Sequence, residues 1–138
     1  MAKFSKRSLD NLKGIHPSLV QVMTEAIKNT PVDFTITSGV RTDEEQQKLY
    51  AQGRTVPGDI VTYADGIINK SNHQPKPDGY GYAVDAYPYI NGTVQVNNVS
   101  AMKTIAAHIR KTAERLGITV EWGGNWKMRD YPHYELFL

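Results

Sequence analysis

The sequence predicts an α+β fold, a small antiparallel sheet with flanking helices. Two observations carry that reading. Apolar stripes at helical spacing over 17–29 and 100–116 are interleaved with short strand-like runs at 34–37, 83–89 and 118–122. Asn91-Gly92 is a strong two-residue hairpin signal, and such hairpins join antiparallel neighbours. The 138 residues suit one domain whose core needs no disulfides. No internal repeat, linker or low-complexity tract divides them.

Pro17 to Asn29 reads as a helix. Leu19, Val20, Val22, Met23, Ala26 and Ile27 share one stripe, and Pro17 suits the first helical position. Phe34 and Ile36, alternating with Thr35 and Thr37, read as a strand. Ser38-Gly39-Val40-Arg41 turns the chain into another helix, whose start is marked by the capping box Thr42-x-x-Glu45. From Gly53 to Tyr80 periodicity fails among Pro57, Pro75, Pro77 and several glycines. A loop of that length in a compact domain is often functional. Ala83 to Tyr89 reads as a strand, turned at Asn91-Gly92 into Thr93–Val96. Ser100 is the expected cap of the next helix, with Met102, Ile105, Ala106, Ile109, Ala113 and Leu116 as its stripe and Gly117 as its end. Ile118 to Trp122 reads as a strand, Gly123-Gly124 breaks it, and Pro132 to Leu138 is the expected last strand.

Composition narrows the chemistry. There are no cysteines, so thiolate metal sites, disulfides and thiol nucleophiles are excluded. A net charge of +2 is far from that of a dedicated nucleic-acid binder, and none is expected as a partner. No run approaches the roughly 20 apolar residues of a membrane span, so stable membrane insertion is not expected. Lys3, Lys6 and Arg7 are followed by no apolar stretch, so no signal peptide is expected. No phosphate-binding glycine loop and no Gly-x-Ser-x-Gly elbow is present.

The informative residues are His73 in Ser71-Asn72-His73, Asp85 in Gly81-Tyr82-Ala83-Val84-Asp85, and the pair in Asp130-Tyr131-Pro132-His133. Two imidazoles and a carboxylate can hold one zinc ion and leave its fourth position to water. A second carboxylate nearby can take that water's proton. Alternation puts Ala83, Asp85 and Tyr87 on one strand face and Val84 and Ala86 on the other, toward the core. Taken singly, each residue has a plainer reading: Asp85 accepting hydrogen bonds from a loop, His73 solvated, His133 structural. Glu135 would share a strand face with His133, either as a rival base ranked behind Asp130 or as a partner orienting the imidazole. Arg41 opens a helix and could bind a carboxylate in a bidentate way, although an ordinary surface arginine is the simpler reading of that residue alone. Trp122 and Trp126 either wall a groove or pack the core. His16 belongs to a helix start, and His108, off the apolar stripe, reads as a surface residue.

Together, Ser71-x-His73, Gly81-x-Ala83-x-Asp85 and Asp130-x-x-His133 resemble the signature of zinc peptidases of the lysostaphin/D-Ala-D-Ala/hedgehog superfamily. Within it, the chain is similar to the L-alanyl-D-glutamate endopeptidases of phage endolysins and bacterial cell-wall enzymes, close to VanY-type carboxypeptidases. Further matches are Ile15-His16-Pro17-x-Leu19, Thr37 to Thr42, Gly53-Arg54-Thr55-x-Pro57-Gly58, Trp122-Gly123-Gly124-x-Trp126 and Pro132 to Leu136. The likeness runs from Leu9 to the end. It implies a hedgehog/D-Ala-D-Ala peptidase-like fold and a single catalytic domain over 1–138, with no separate wall-binding domain. By the same resemblance, His73, Asp85 and His133 are zinc ligands, Asp130 is the general base, and Arg41 binds substrate or polarises its carbonyl. Ser71 and Glu135 support the site.

The implied function is a zinc-dependent peptidoglycan hydrolase that cuts the L-Ala–D-Glu bond of stem peptides and lyses bacteria. A D,D- or L,D-carboxypeptidase of wall remodelling is the alternative. A zinc-stabilised binding module is disfavoured, because it needs no base at Asp130. The implied partner is bacterial peptidoglycan, met by a monomer that waits in the host cytoplasm until released to the periplasm or wall. One departure stands out. The family often has a shorter spacer before its Gly-x-Ala-x-Asp, whereas Gln74 to Tyr80 intervenes here and is expected to bulge from the site.

Overall fold

Alternation along β2 (Ala83–Ile90) gives the molecule its two faces. The computed structural model describes residues 2–62, 64–67 and 70–138. Before β2 come α1 (Lys6–Leu12), α2 (Pro17–Lys28), β1 (Phe34–Ser38) and α3 (Asp43–Ala51). After it come β3 (Thr93–Val94), α4 (Val99–Leu116), β4 (Thr119–Trp122), a 3-10 turn (Gly123–Asn125) and β5 (His133–Phe137). The sheet order is β1-β2-β5-β4, with β3 on β2 and every pairing antiparallel. The α+β class expected from the sequence is what the chain adopts.

On one face, Phe34, Ile36, Val84, Ala86, Tyr134 and Leu136 meet the stripes of α2 and α4. Leu19, Val22, Met23, Ile105 and Ile109 are almost wholly buried there. Each such side chain contributes about 1.5–3 kcal/mol relative to exposure. His108 corrects the surface reading: its Nε2 donates to the Ala26 carbonyl at 2.9 Å and ties α4 to α2. The start of α4 is also corrected. Asn98, not Ser100, is the cap, because its side-chain oxygen accepts from the Ala101 N–H at 3.0 Å. Gly117 ends the helix in the left-handed conformation, as expected (φ 73°).

The hairpin signal is used: Asn91 and Gly92 both have positive φ, at 53° and 74°. The returning strand is shorter than expected, stopping at Val94. The capping box of α3 is complete, with Thr42 and Glu45 satisfying each other's backbone N–H. The segment from Gly53 to Tyr80 forms no helix or strand among the described residues.

Helix α1 is absent from the sequence reading. Seven residues, KRSLDNL, carry no apolar stripe. The helix stands on polar contacts to the edge strand β1: Ser8 Oγ accepts the Ile36 N–H at 3.0 Å and Asn11 Nδ2 donates to the Ile36 carbonyl at 2.8 Å. An open strand edge is thereby covered. On its other side β1 pairs Ile36 with Ala86 and Ser38 with Asp85, so Thr37 is an extra, bulged residue. Bulges of this kind re-aim the chain beside functional sites.

Candidate metal centre

The face opposite the core carries Asp85 on β2, with His133 of β5 as its direct cross-strand partner. His73 is delivered by the long loop and fixed at three points. Its N–H donates to Ser71 Oγ at 3.2 Å, its carbonyl accepts from the Arg41 N–H at 2.8 Å, and its Nδ1 lies 2.9 Å from the Gly39 carbonyl. A carbonyl only accepts, so Nδ1 carries the hydrogen and Nε2 faces Asp85 Oδ1 at 3.5 Å. Gly39 lies two residues past Thr37 of the bulge, and its carbonyl meets the edge of that ring.

His133 is oriented the other way round. Its Nε2 donates to Glu135 Oε1 at 2.8 Å, leaving Nδ1 toward Asp85 Oδ1 at 3.6 Å. Glu135 is itself held by Asn72, whose Nδ2 donates to Oε2 at 2.6 Å. With both oxygens engaged, Glu135 fits the role of orienting the imidazole better than that of a rival base. Trp126 leans on the His133 ring, centroids 4.8 Å apart, and donates its Nε1 to Glu121. Trp122 instead belongs to the core edge, donating to the Tyr131 carbonyl at 2.7 Å. The two tryptophans therefore split between the alternatives.

One donor atom from each of His73, Asp85 and His133 lies within 4.8 Å of the others. Asp85 Oδ1 is buried and makes no hydrogen bond. Its separations from the two imidazole nitrogens, 3.5 and 3.6 Å, are long for hydrogen bonds. They approach the ~3.3 Å between neighbouring ligand atoms around a tetrahedral ion with bonds of about 2.0–2.1 Å. The donor set therefore fits a metal ion.

The electrostatics agree with such a centre. Burial alone would raise the Asp85 carboxyl, but the imidazoles of His133 and His73 outweigh it and hold the group well below the usual carboxylate range. Burial would lower His133, but Asp85 and Glu135 outweigh it and push the imidazole up to about 9. Asp130 sits at the rim, its side chain 49% exposed and its Oδ2 3.8 Å from His133 Nδ1. Burial and then the Asp85 charge raise its carboxyl. The turn that presents Asp130 closes on Gly123, whose carbonyl accepts the Asp130 N–H at 2.9 Å. A Cβ at Gly123 would run into the Asp130 carbonyl and touch the His133 Cβ, so only glycine fits.

Arg41 is not an ordinary surface arginine. It is partly buried, with Nη1 on Gln46 Oε1 at 2.7 Å, and shares with the metal cluster a cavity of about 410 Å³. Burial lowers its pKa, opposed by the charges of Asp85, Glu45 and Asp130.

Three amides that sequence reasoning passed over hold this architecture. Gln46, 0% exposed, also donates to the Ala64 carbonyl and Thr62 Oγ1. Gln74, 1% exposed, accepts from the Ser71 N–H and donates to Asp43 Oδ1 and the Gly66 carbonyl. Asn72 is the third. Gln74 corrects the expectation for the spacer: Pro75 to Tyr80 do project outward and are exposed, but Gln74 is an interior anchor. Amides have no periodic signature; the adjacency of Asn72 and Gln74 to His73 was the one available signal.

The sequence model of the phage L-alanyl-D-glutamate peptidase family matches residues 1–136. The chain is 37% identical over 131 residues to the peptidoglycan L-alanyl-D-glutamate endopeptidase CwlK of Bacillus subtilis, covering 88% of this chain and 73% of that protein. It is 30% identical over 134 residues to the L-alanyl-D-glutamate peptidase of Escherichia phage T5, covering 97% and 88%. Among solved structures it is similar to the Serratia marcescens L-Ala D-Glu endopeptidase ChiX, with a TM-score of 0.74 and 29% identity over 99% of this chain and 91% of that one. With this architecture and these matches, the chain belongs to the phage L-alanyl-D-glutamate peptidase family.

Proposed function

We propose that the protein is a zinc-dependent peptidoglycan hydrolase that cuts the L-Ala–D-Glu bond of stem peptides and thereby lyses bacteria. The observation that carries this reading is the His73–Asp85–His133 cluster with its orphaned Asp85 oxygen and with Asp130 at the rim. Two nitrogen donors, one carboxylate and no thiolate suit zinc with one position left open. When bound, such an ion polarises a carbonyl and makes water nucleophilic near neutral pH.

The chain's own residues supply the rest. Asp85 and the two imidazoles would hold a divalent ion in a centre of net charge about +1, which would attract an anionic peptide. Asp130 accepts the proton of the attacking water as the new C–O bond forms. It returns that proton to the D-Glu nitrogen as the C–N bond breaks. Arg41 lines the same cavity and can stabilise the developing oxyanion or fix a substrate carboxylate. Ser71 keeps the His73 backbone in place through its 3.2 Å hydrogen bond.

Asp130→Ala tests the base. The variant is expected to retain stoichiometric metal by elemental analysis while losing roughly 10²–10⁴-fold in turnover on purified peptidoglycan. Unchanged turnover would rule Asp130 out as the base.

A further inference from the structure

The central cavity has a neighbour on either side. It shares Lys70, Ser71 and Asn72 with a second cavity of about 490 Å³ under the Gln74–Tyr80 segment. It shares Val61, Thr62, Trp126 and Asp130 with a third of about 570 Å³. The three lie side by side, with the candidate metal centre in the middle one, and the two flanking cavities, the arms of the site, are unlike. Among the described residues, the second cavity is lined by Lys70 and Lys76 with uncharged residues and no acid. The third is walled by Val61, Tyr87, Trp126 and Met128, with Arg129 and Asp130.

We infer that the Lys70–Lys76 arm is an anion subsite that receives the carboxylate-bearing half of the substrate, on the D-Glu side of the cut bond, and so sets the direction in which the peptide lies. This rests on the proposed L-Ala–D-Glu specificity. Glutamate has two carboxyl groups, and a chain can continue through only one of them. The segment beyond the cut is therefore anionic, whereas the alanine side offers a methyl group. Of the two flanking cavities, one carries Lys70 and Lys76 while in the other Arg129 is offset by Asp130, so a carboxylate lying beyond the metal centre and Arg41 is better held on the lysine side. The alanine half is left to the other arm, where the walls are mainly apolar and aromatic and Arg129 is offset by Asp130.

The lysine arm is a braced structure. The Lys76 N–H donates to the Tyr80 carbonyl at 2.9 Å, and the Gly79 N–H returns to the Lys76 carbonyl at 2.8 Å. Asp78 takes the Tyr80 N–H and the Tyr82 hydroxyl, pinning the turn to the base of β2. Gln74 anchors its first residue in the interior. Lys76 Nζ stands 4.6 Å from the centre of the Tyr82 ring, a contact that orients the ammonium without neutralising it. Lys70 Nζ lies 3.6 Å from Asp43 Oδ1, with both side chains more than half exposed. Such a pair is weak in water, and Asp43 Oδ1 already accepts from Gln74, so Lys70 can turn to a ligand.

The test uses the zinc-loaded protein and two synthetic peptides with the same L-Ala–D-Glu bond. In one, the carboxylates beyond the bond are free; in the other, they are carboxamides. The wild type should favour the free-acid peptide, mainly through KM, and salt should erode the preference. Lys70→Gln and Lys76→Gln should each lower kcat/KM for the free acid by about two- to fivefold and leave the carboxamide unchanged. Lys103→Gln, on α4 behind the sheet, should change neither. Equal losses on both peptides, or a wild type indifferent to amidation, would overturn the subsite. If the wild type cleaves neither peptide, the bond assignment itself falls, and the subsite with it.

Discussion

At His133 three carboxylates, Asp85, Asp130 and Glu135, face one ring, and their division of labour decides which nitrogen is left for a metal. Glu135 takes Nε2 at 2.8 Å, so Nδ1 points at Asp85. Asn72 steadies Glu135 from the residue next to His73, so the loop ligand and the strand ligand share a support. Losing such a partner typically costs 10- to 100-fold in metal affinity. Asn72→Ala and Glu135→Gln are each expected to weaken zinc binding by about tenfold or more in a competitive chelator titration. Wild-type affinity in both would remove Glu135 from the metal's support. A pH effect follows from the same ring. Without metal, the His133 imidazole is pushed up to about 9, so it is charged at neutral pH. Its contribution to metal-free stability is full below the unfolded value of about 6.5 and is lost as pH rises through about 9. Metal binding must displace that proton, so affinity should climb with pH up to about 9. Calorimetry at pH 7 in buffers of different ionisation heat should show proton release on zinc binding; none would contradict the assignment. The clustering of His73, Asp85 and His133 was legible in the sequence because few residue types can ligate a metal. Asn72, Gln46 and Gln74 were not, because an amide becomes informative only when burial shows how many of its hydrogen bonds are made.

The elements divide by how local their signals are. Helix α3 was readable because its capping box is complete within four residues, although of its side chains only Gln46 is buried. Helices α2 and α4 and strand β2 were readable from periodicity over longer runs. The first turn of α4 misled because Asn98 and Ser100 are both good caps, and only geometry shows which oxygen reaches the Ala101 N–H. Helix α1 was invisible because its partners are the backbone groups of Ile36, far away in sequence. This contact reaches the site through the bulge at Thr37 and the Gly39 carbonyl that accepts from His73 Nδ1. Asn11→Ala strips the Ile36 carbonyl of its partner and should cost about 1–3 kcal/mol by urea unfolding. A cost near zero would mean that water replaces the amide and that α1 is not a structural cover for the sheet edge.

The whole molecule is a sheet with one face given to burial and the other to chemistry. Apolar side chains from α2 and α4 fill the first face. On the second, adjacent strands bring Asp85 and His133 together, and a loop brings His73. This division was legible in the alternation of β2, where an aspartate interrupts an apolar strand. The row of cavities on the second face was not, because its arms are made by residues of the 53–80 loop and the 123–133 turn, whose positions no local pattern encodes. The central claim joins a metal held at this face to one peptide bond. Its most direct test is digestion of purified sacculi by zinc-loaded protein, with chelator and then with zinc restored, read by fragment mass. The predicted result is fragments with D-Glu at a new amino terminus, abolished by the chelator and recovered with zinc. Release of terminal D-Ala alone, or undiminished cleavage after the metal is removed, would contradict it.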